Sequence, residues 1–213
     1  MGKRSSNRMT LDYRLFLITE ETPSLPTLLH TVEEAVKGGV KIVELREKKS
    51  TPREIYEKAK QLKEMLSKYN VPLIIDNRPD IALASGADGV HLAQHDLPLH
   101  EVRKMLPAPK IVGTSVFTVE QAQEAEKNGA DYVATGAIFP TTSKDNATVL
   151  PEEMLEKITK SVSIPVIAVG GLKPSNLAKV NDKGIAGVAV VSGVMQAENP
   201  YEAAEQYIRA LEQ

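Results

Sequence analysis

Apolar residues in this chain come in short unbroken runs rather than in alternation with polar ones. RLFLIT, VKIVELR, VPLIID, GVHLAQ, KIVGTSV, YVATGAIF, PVIAVGG and VAVVSG follow one another along the chain, rich in β-branched residues. A strand with one wet face would alternate, so these runs predict strands buried on both sides, as in a parallel sheet covered by helices. The segments between them have the other period. From Thr27 to Gly38, the residues Leu28, Leu29, Val32, Ala35 and Val36 share one helical face, and from Thr51 to Tyr69 so do Ile55, Ala59, Leu62 and Leu66.

Local signals agree with that division. Thr51 before Pro52 predicts an N-cap with a first-turn proline, and Thr118 with Gln121 resembles a capping box. A soft repeat runs through GGVKIVEL from Gly38, SGADGVHL from Ser85, NGADYVAT from Asn128 and KGIAGVAV from Lys183. In each, a glycine just past a helix supplies a left-handed C-cap and the chain turns at once into a buried strand. Such αβ junctions imply a βα array of about eight units, with no linker or composition shift to divide it. A single-domain α/β fold, a (β/α)8 TIM barrel over residues 11–213, is the economical closure, with a doubly wound open sheet as the alternative. Residues 1–10, basic and Ser-rich, read as a disordered tail in which Met9 is a second candidate start.

Composition narrows function more than fold. The chain has 213 residues, 42% hydrophobic and 25% charged, enough to bury a full core. It has no Cys, which excludes disulfides, thiolate metal sites and cysteine nucleophiles and leans toward a reducing, cytoplasmic setting. A formal net charge of -2 leaves no basic field for nucleic acid. No apolar run approaches the roughly 18 residues of a membrane span. MGKRSSNRMT leads into no apolar segment, so a secretory signal is not supported.

In a barrel of this type the chemistry sits on the loops that follow the strands. After the second run, Glu44, Arg46 and Lys48 alternate, so a strand continued through them would aim all three at one face. Two cations pointing at one place call for an anion between them. After the third and fourth runs come Asp76, Asn77 and Arg78, then His91, Gln94, His95 and Asp96. Carboxylates from two neighbouring strands plus an amide oxygen are hard-oxygen ligands suited to Mg2+, with a diphosphate to complete the shell. Equally, Asn77 and Asp96 are placed to cap helices beginning near Pro79 and Pro98. His91, His95 and His100 lack zinc spacing; His91, inside an apolar strand, faces either a substrate or a satisfied core.

Three further loops bear on phosphate. Thr141, Thr142, Ser143 and Lys144 crowd three hydroxyls and one ammonium into four positions, which suits an anion with several oxygens, although a solvated turn uses the same residues. IAVGG ends in Gly170 and Gly171, and VAVVSG ends in Ser192 and Gly193. Glycines there let an oxyanion approach backbone N–H groups at short helix N-termini, and also serve plain tight turns.

Taken in order, ELREK, IIDNR, ADGVHLAQHDLP, GTSV, GADYVATGAIFPTTSK, VIAVGG and VAVVSG resemble the thiamin phosphate synthase and TenI family, from about Tyr13 to Tyr207. The resemblance implies a TIM barrel that joins hydroxymethylpyrimidine diphosphate to a thiazole phosphate, releasing diphosphate with Mg2+. It implies that Arg46, Lys48, Ser115 and Lys144 hold the diphosphate and carry catalysis, that Asp96 and Asn77 hold the metal, and that Thr141, Ser143, Gly171, Val191 and Ser192 hold the thiazole phosphate. Glu44, Asp76, His91, Thr142 and Gly170 join the substrate-binding set. The implied mechanism is dissociative, so no general base or protein nucleophile is required, and the family's habit is a homodimer.

Three positions depart from the family's pattern. Asp76-Asn77 stands where the family has Asn-Asp, which displaces the second metal ligand by one position. Glu44 replaces Gln, as a carboxylate that would accept hydrogen bonds and favour a cation. Ser143 replaces Thr and keeps the hydroxyl. Two other readings stay open, a TenI-type thiazole tautomerase and a non-catalytic binder of thiamin phosphate. The tautomerase's acid/base histidine follows the Ser-Val of GTSV, where this chain has Phe117. A phosphosugar isomerase or aldolase would want a lysine inside a strand, and none stands there.

Overall fold

The computed structural model describes residues 10–145 and 147–213. Eight parallel strands close into one barrel in sequence order, which settles the barrel against the open sheet. They are β1 Leu15–Ile18, β2 Ile42–Leu45, β3 Leu73–Asp76, β4 Gly89–Leu92, β5 Ile111–Ser115, β6 Tyr132–Thr135, β7 Val166–Val169 and β8 Gly187–Val190. Around them lie α1 Leu25–Lys37, α2 Pro52–Ser67, α3 Pro79–Ser85, α4 Leu99–Met105, α5 Val119–Lys127 and α6 Met154–Ser161, then a 3-10 helix Pro174–Lys179, α7 Ser192–Met195 and α8 Pro200–Leu211. The expected N-terminal tail falls almost wholly on residues 1–9, outside the described residues.

Both predicted long helices form. α1 begins two residues earlier than its apolar pattern, because Ser24 caps it by accepting from the Thr27 N–H. Thr51 caps α2 in a full capping box with Glu54. The Thr118 box is only half as expected: Thr118 accepts from the Gln121 N–H, but the Gln121 side chain reaches back to the Phe117 N–H, one residue earlier. The four αβ junctions carry left-handed glycines at Gly39, Gly86, Gly129 and Gly184, so in the first repeat the second glycine takes the role, Gly38 being right-handed.

Because each strand is covered outside by helices and packed inside against its fellows, successive residues face two different apolar environments. Phe16, Ile42, Ile74, Ile111, Tyr132, Ala134, Ile167 and Ala189 pack together as the inner core. Leu15, Leu17, Val43, Leu45, Leu73, Ile75, Val90 and Val112 belong to the larger outer cluster shared with the helices. The period of two therefore puts Glu44, Asp76, His91 and Ser115 on the inward face, above the apolar layer and toward the C-terminal mouth.

Candidate active site

A cavity of about 930 Å³ opens at that mouth. Its wall includes Arg46 from the loop after β2, Ser115 from the end of β5, and Thr141, Thr142, Ser143 and Lys144 from the loop after β6. Gly170 and Gly171 after β7, with Val191 and Ser192 after β8, complete the polar side. Ten of the residues picked out from sequence thus line one space. Gly171 has φ +67 and a Cβ there would meet the Phe139 and Pro140 carbonyl oxygens at 2.6 Å, so the β7 turn can press against the hydroxyl loop only as glycine. Ser143 Oγ meets Ser192 Oγ from the far side of that loop.

The other six form a second cluster on β2, β3 and β4. Lys48 Nζ pairs with the Asp76 carboxylate. Asn77, in left-handed backbone at φ 52, sets its amide between Lys48 Nζ and the Asp76 carbonyl, and hydrogen-bond chemistry assigns its oxygen to the ammonium at 3.0 Å and its nitrogen, as donor, to the carbonyl at 2.8 Å. Asp96 ties down its own loop by accepting from the Ala93 N–H at 2.7 Å. Neither Asn77 nor Asp96 caps a helix: the N-cap positions of α3 and α4 are Arg78 and Pro98, and neither makes a side-chain cap. The helix-capping alternative for both residues is therefore overturned.

The β2 reading also needs correcting. The strand ends at Leu45, so Glu44, Arg46 and Lys48 do not alternate along one strand. Glu44 points inward, Arg46 reaches the cavity, and Lys48 reaches Asp76 from a loop. That loop is held from outside the motif. Glu21, between β1 and α1, accepts from the N–H groups of Lys48 and of Lys49, the latter at 2.6 Å. Beside it Lys58 of α2 binds the fully buried Glu47 carboxylate at 2.8 Å and the Thr22 carbonyl at 3.0 Å. Nothing local in the sequence marks Glu21, Glu47 or Lys58, because their roles arise where loops from separate βα units meet.

Burial sets the protonation states. Glu44 is only 4% exposed, and loss of water, with Asp76 nearby, pushes its carboxyl up to about 8 against the pull of Arg46 and Lys48. That shift favours the protonated carboxyl at pH 7 over the anionic acceptor expected from sequence. A neutral carboxyl keeps one donor and one acceptor, the same pair that a glutamine offers. His91 is held down at about 4 by burial and is likewise neutral. Asp76, Asp96, Lys144 and Lys48 all act electrostatically on His91, so these charges converge on one place. His91 Nε2 lies 2.8 Å from Ser115 Oγ and thereby joins the second cluster to the cavity.

The oxygens of this cluster suit a hard cation. Asp76 uses one carboxylate oxygen for Lys48 and Asp96 one for Ala93, leaving the second oxygen of each without a hydrogen bond among the described residues. Two carboxylates and an amide oxygen fit Mg2+, which takes few protein ligands and completes its shell from water and phosphate. No group of three or more His, Cys, Asp or Glu is gathered for a metal among the described residues.

The family model described as thiamine monophosphate synthase matches residues 15–194. A thiamine-phosphate synthase of Methanobrevibacter smithii is 45% identical over 93% of this chain and 95% of its own. Thiamine-phosphate synthase 2 of Streptococcus pneumoniae is 46% identical over the same shares. Among solved structures, thiamine phosphate pyrophosphorylase from Pyrococcus furiosus superposes with a TM-score of 0.84 at 37% identity, covering 95% of this chain and 96% of that one. A 3-hexulose-6-phosphate synthase superposes at 0.70 with 19% identity, a likeness of fold alone.

Proposed function

The chain belongs to the thiamine monophosphate synthase family, and on that premise we propose that its mouth couples a hydroxymethylpyrimidine diphosphate with a thiazole phosphate. The products are thiamin phosphate and diphosphate, and the enzyme is a transferase of the pyrimidinylmethyl group. One observation carries the reading: Arg46, Ser115 and Lys144 share a single cavity with Thr141, Ser143 and Ser192, so leaving-group contacts and acceptor-phosphate contacts face each other across one space.

The division of labour follows from charge. Breaking the bond between the pyrimidinylmethyl carbon and the diphosphate oxygen leaves growing negative charge on the diphosphate. Arg46, Lys48 and Lys144 would neutralise it, and one such preorganised contact is worth about 3 kcal/mol of barrier. Asp96 and Asn77, with Asp76 beside them, would hold Mg2+, which when bound supplies further positive charge to the diphosphate oxygens. The hydroxyls of Thr141, Ser143 and Ser192 and the Gly170-Gly171 turn would anchor the thiazole phosphate, leaving its ring nitrogen to capture the pyrimidinylmethyl cation. Neutral Glu44 and His91, on the inner wall, would meet the pyrimidine.

Phe117 lines the same cavity where a tautomerase would need a proton carrier, and a phenyl ring cannot serve as one. No described helix is long and apolar enough to cross a membrane. A cytoplasmic location, in keeping with the cysteine-free sequence, and a homodimer belong to the same proposal. The test is an assay with both substrates and Mg2+. The wild-type chain should form thiamin phosphate and Lys144→Ala should be slower by roughly 100-fold; no product from the wild type would sink the reading.

A further inference from the structure

His91, Gly113 and Tyr132 stand side by side on β4, β5 and β6, at one level of the barrel. A Cβ on Gly113 would lie 2.0 Å from the Tyr132 ring, so only glycine lets the phenol cross β5. The two rings stack with centroids 5.6 Å apart. Tyr132 Oη is then 2.8 Å from His91 Nδ1, and His91 Nε2 is 2.8 Å from Ser115 Oγ. Ser115 is two residues beyond Gly113 on the same strand, hence on the same face, and it opens on the cavity.

Hydrogen-bond satisfaction gives this chain a direction. The Tyr132 phenol keeps its proton, because burial holds its pKa well above the usual range. Among the described residues its one hydrogen-bond partner is His91 Nδ1. A buried O–H without an acceptor is costly, so the phenol donates to Nδ1. With Nδ1 accepting, the His91 ring carries its proton on Nε2 and donates it to Ser115 Oγ. The hydroxyl hydrogen of Ser115 is left for the cavity.

We propose that Tyr132 and His91 are positioning residues that hold Ser115 as a hydrogen-bond donor toward the leaving diphosphate. This rests on the reading of Ser115 as a diphosphate contact. In the opposite orientation Ser115 would give its proton to His91 and present only lone pairs to an anion. In the orientation argued here, charge growing on the diphosphate polarises all three bonds together, so the relay favours the transition state over the bound substrate.

Two measurements on the full chain test the relay. In protein with 15N-labelled histidine at pH near 7.5, His91 should show a protonated Nε2 and a bare Nδ1; the opposite tautomer overturns the proposal. Tyr132→Phe, which keeps the ring, should lower kcat about tenfold and change the KM for the pyrimidine diphosphate less than about threefold, but add less than about twofold in a Ser115→Ala background. A loss that multiplies in full with that of Ser115→Ala would mean that Tyr132 acts on packing and not through Ser115. If the wild type makes no thiamin phosphate, the synthase reading falls and the relay is judged separately by binding of inorganic diphosphate with Mg2+. There Tyr132→Phe should weaken affinity about threefold or more in the wild type and not in Ser115→Ala; equal weakening in both overturns it.

Discussion

Ser143 Oγ lies 3.2 Å from Ser192 Oγ, joining the loop after β6 to the turn after β8 over the end of β7 at the rim of the barrel. Two hydroxyls from strands so far apart in sequence meet at the spacing at which both can donate to one phosphate.

Ser192→Ala should therefore raise the KM for the thiazole phosphate about tenfold, the value of one hydrogen bond to a charged group, while kcat falls less. A variant with unchanged KM and reduced kcat would place that phosphate elsewhere.

Asp96 keeps one carboxylate oxygen free of hydrogen bonds among the described residues, at a place where its charge is felt by His91. Asp96→Asn should lower turnover roughly 100-fold and raise the Mg2+ requirement, with thiazole phosphate affinity measured by calorimetry almost unchanged. Equal loss of both would contradict two separate subsites.

Glu44 makes stability depend on pH in a particular sense. Its carboxyl titrates near 8 when folded against an ordinary 4.5. Between those values the folded chain holds a proton that the unfolded chain has released, so stability falls as pH rises through the window. His91 acts oppositely, from about 4 folded to 6.5 unfolded, and its contribution is lost as pH falls through that range. Above pH 6.5, of these two, only the Glu44 slope remains. Tm should decline from about pH 6.5 to 8, and Glu44→Gln should flatten the decline, each kcal/mol being worth roughly 2–4 °C in a chain of this size. An unchanged slope in the variant would show Glu44 ionised.

Lys58 is nearly buried against Glu47, whose side chain is fully buried. Lys58→Met removes one partner and leaves a carboxyl without its cation, which should cost roughly 3 kcal/mol in denaturant unfolding. Because Glu47 sits beside the Glu21 clamp on Lys48 and Lys49, kcat should drop as well. A stable variant with full turnover would show the buried pair to be dispensable.

The N-caps at Thr51 and Thr118 were legible because a cap needs only groups within three or four residues. So were the glycine turns and the uninterrupted apolar runs, and their repetition implied a closed parallel barrel. The polar residues at the strand ends could be picked out for the same reason, since they interrupt the runs. Tyr132 could not: within YVATGAIF it reads as one more core residue, and its link to His91 appears only when β4, β5 and β6 are in register.

Amino-acid order alone thus determined the βα repeat, its parallel buried strands, and which loops carry hydroxyls, cations and carboxylates, because each of those depends on neighbours along the chain; closure of the barrel came from the strand pairing. Tertiary structure decided which face of every strand looks inward, that Glu44 stays neutral, that Lys48 leans on Asp76, and that Glu21 grips the cation loop. Those outcomes depend on strand register and on how much water closure removes, quantities that exist only once residues distant in sequence share one dielectric environment.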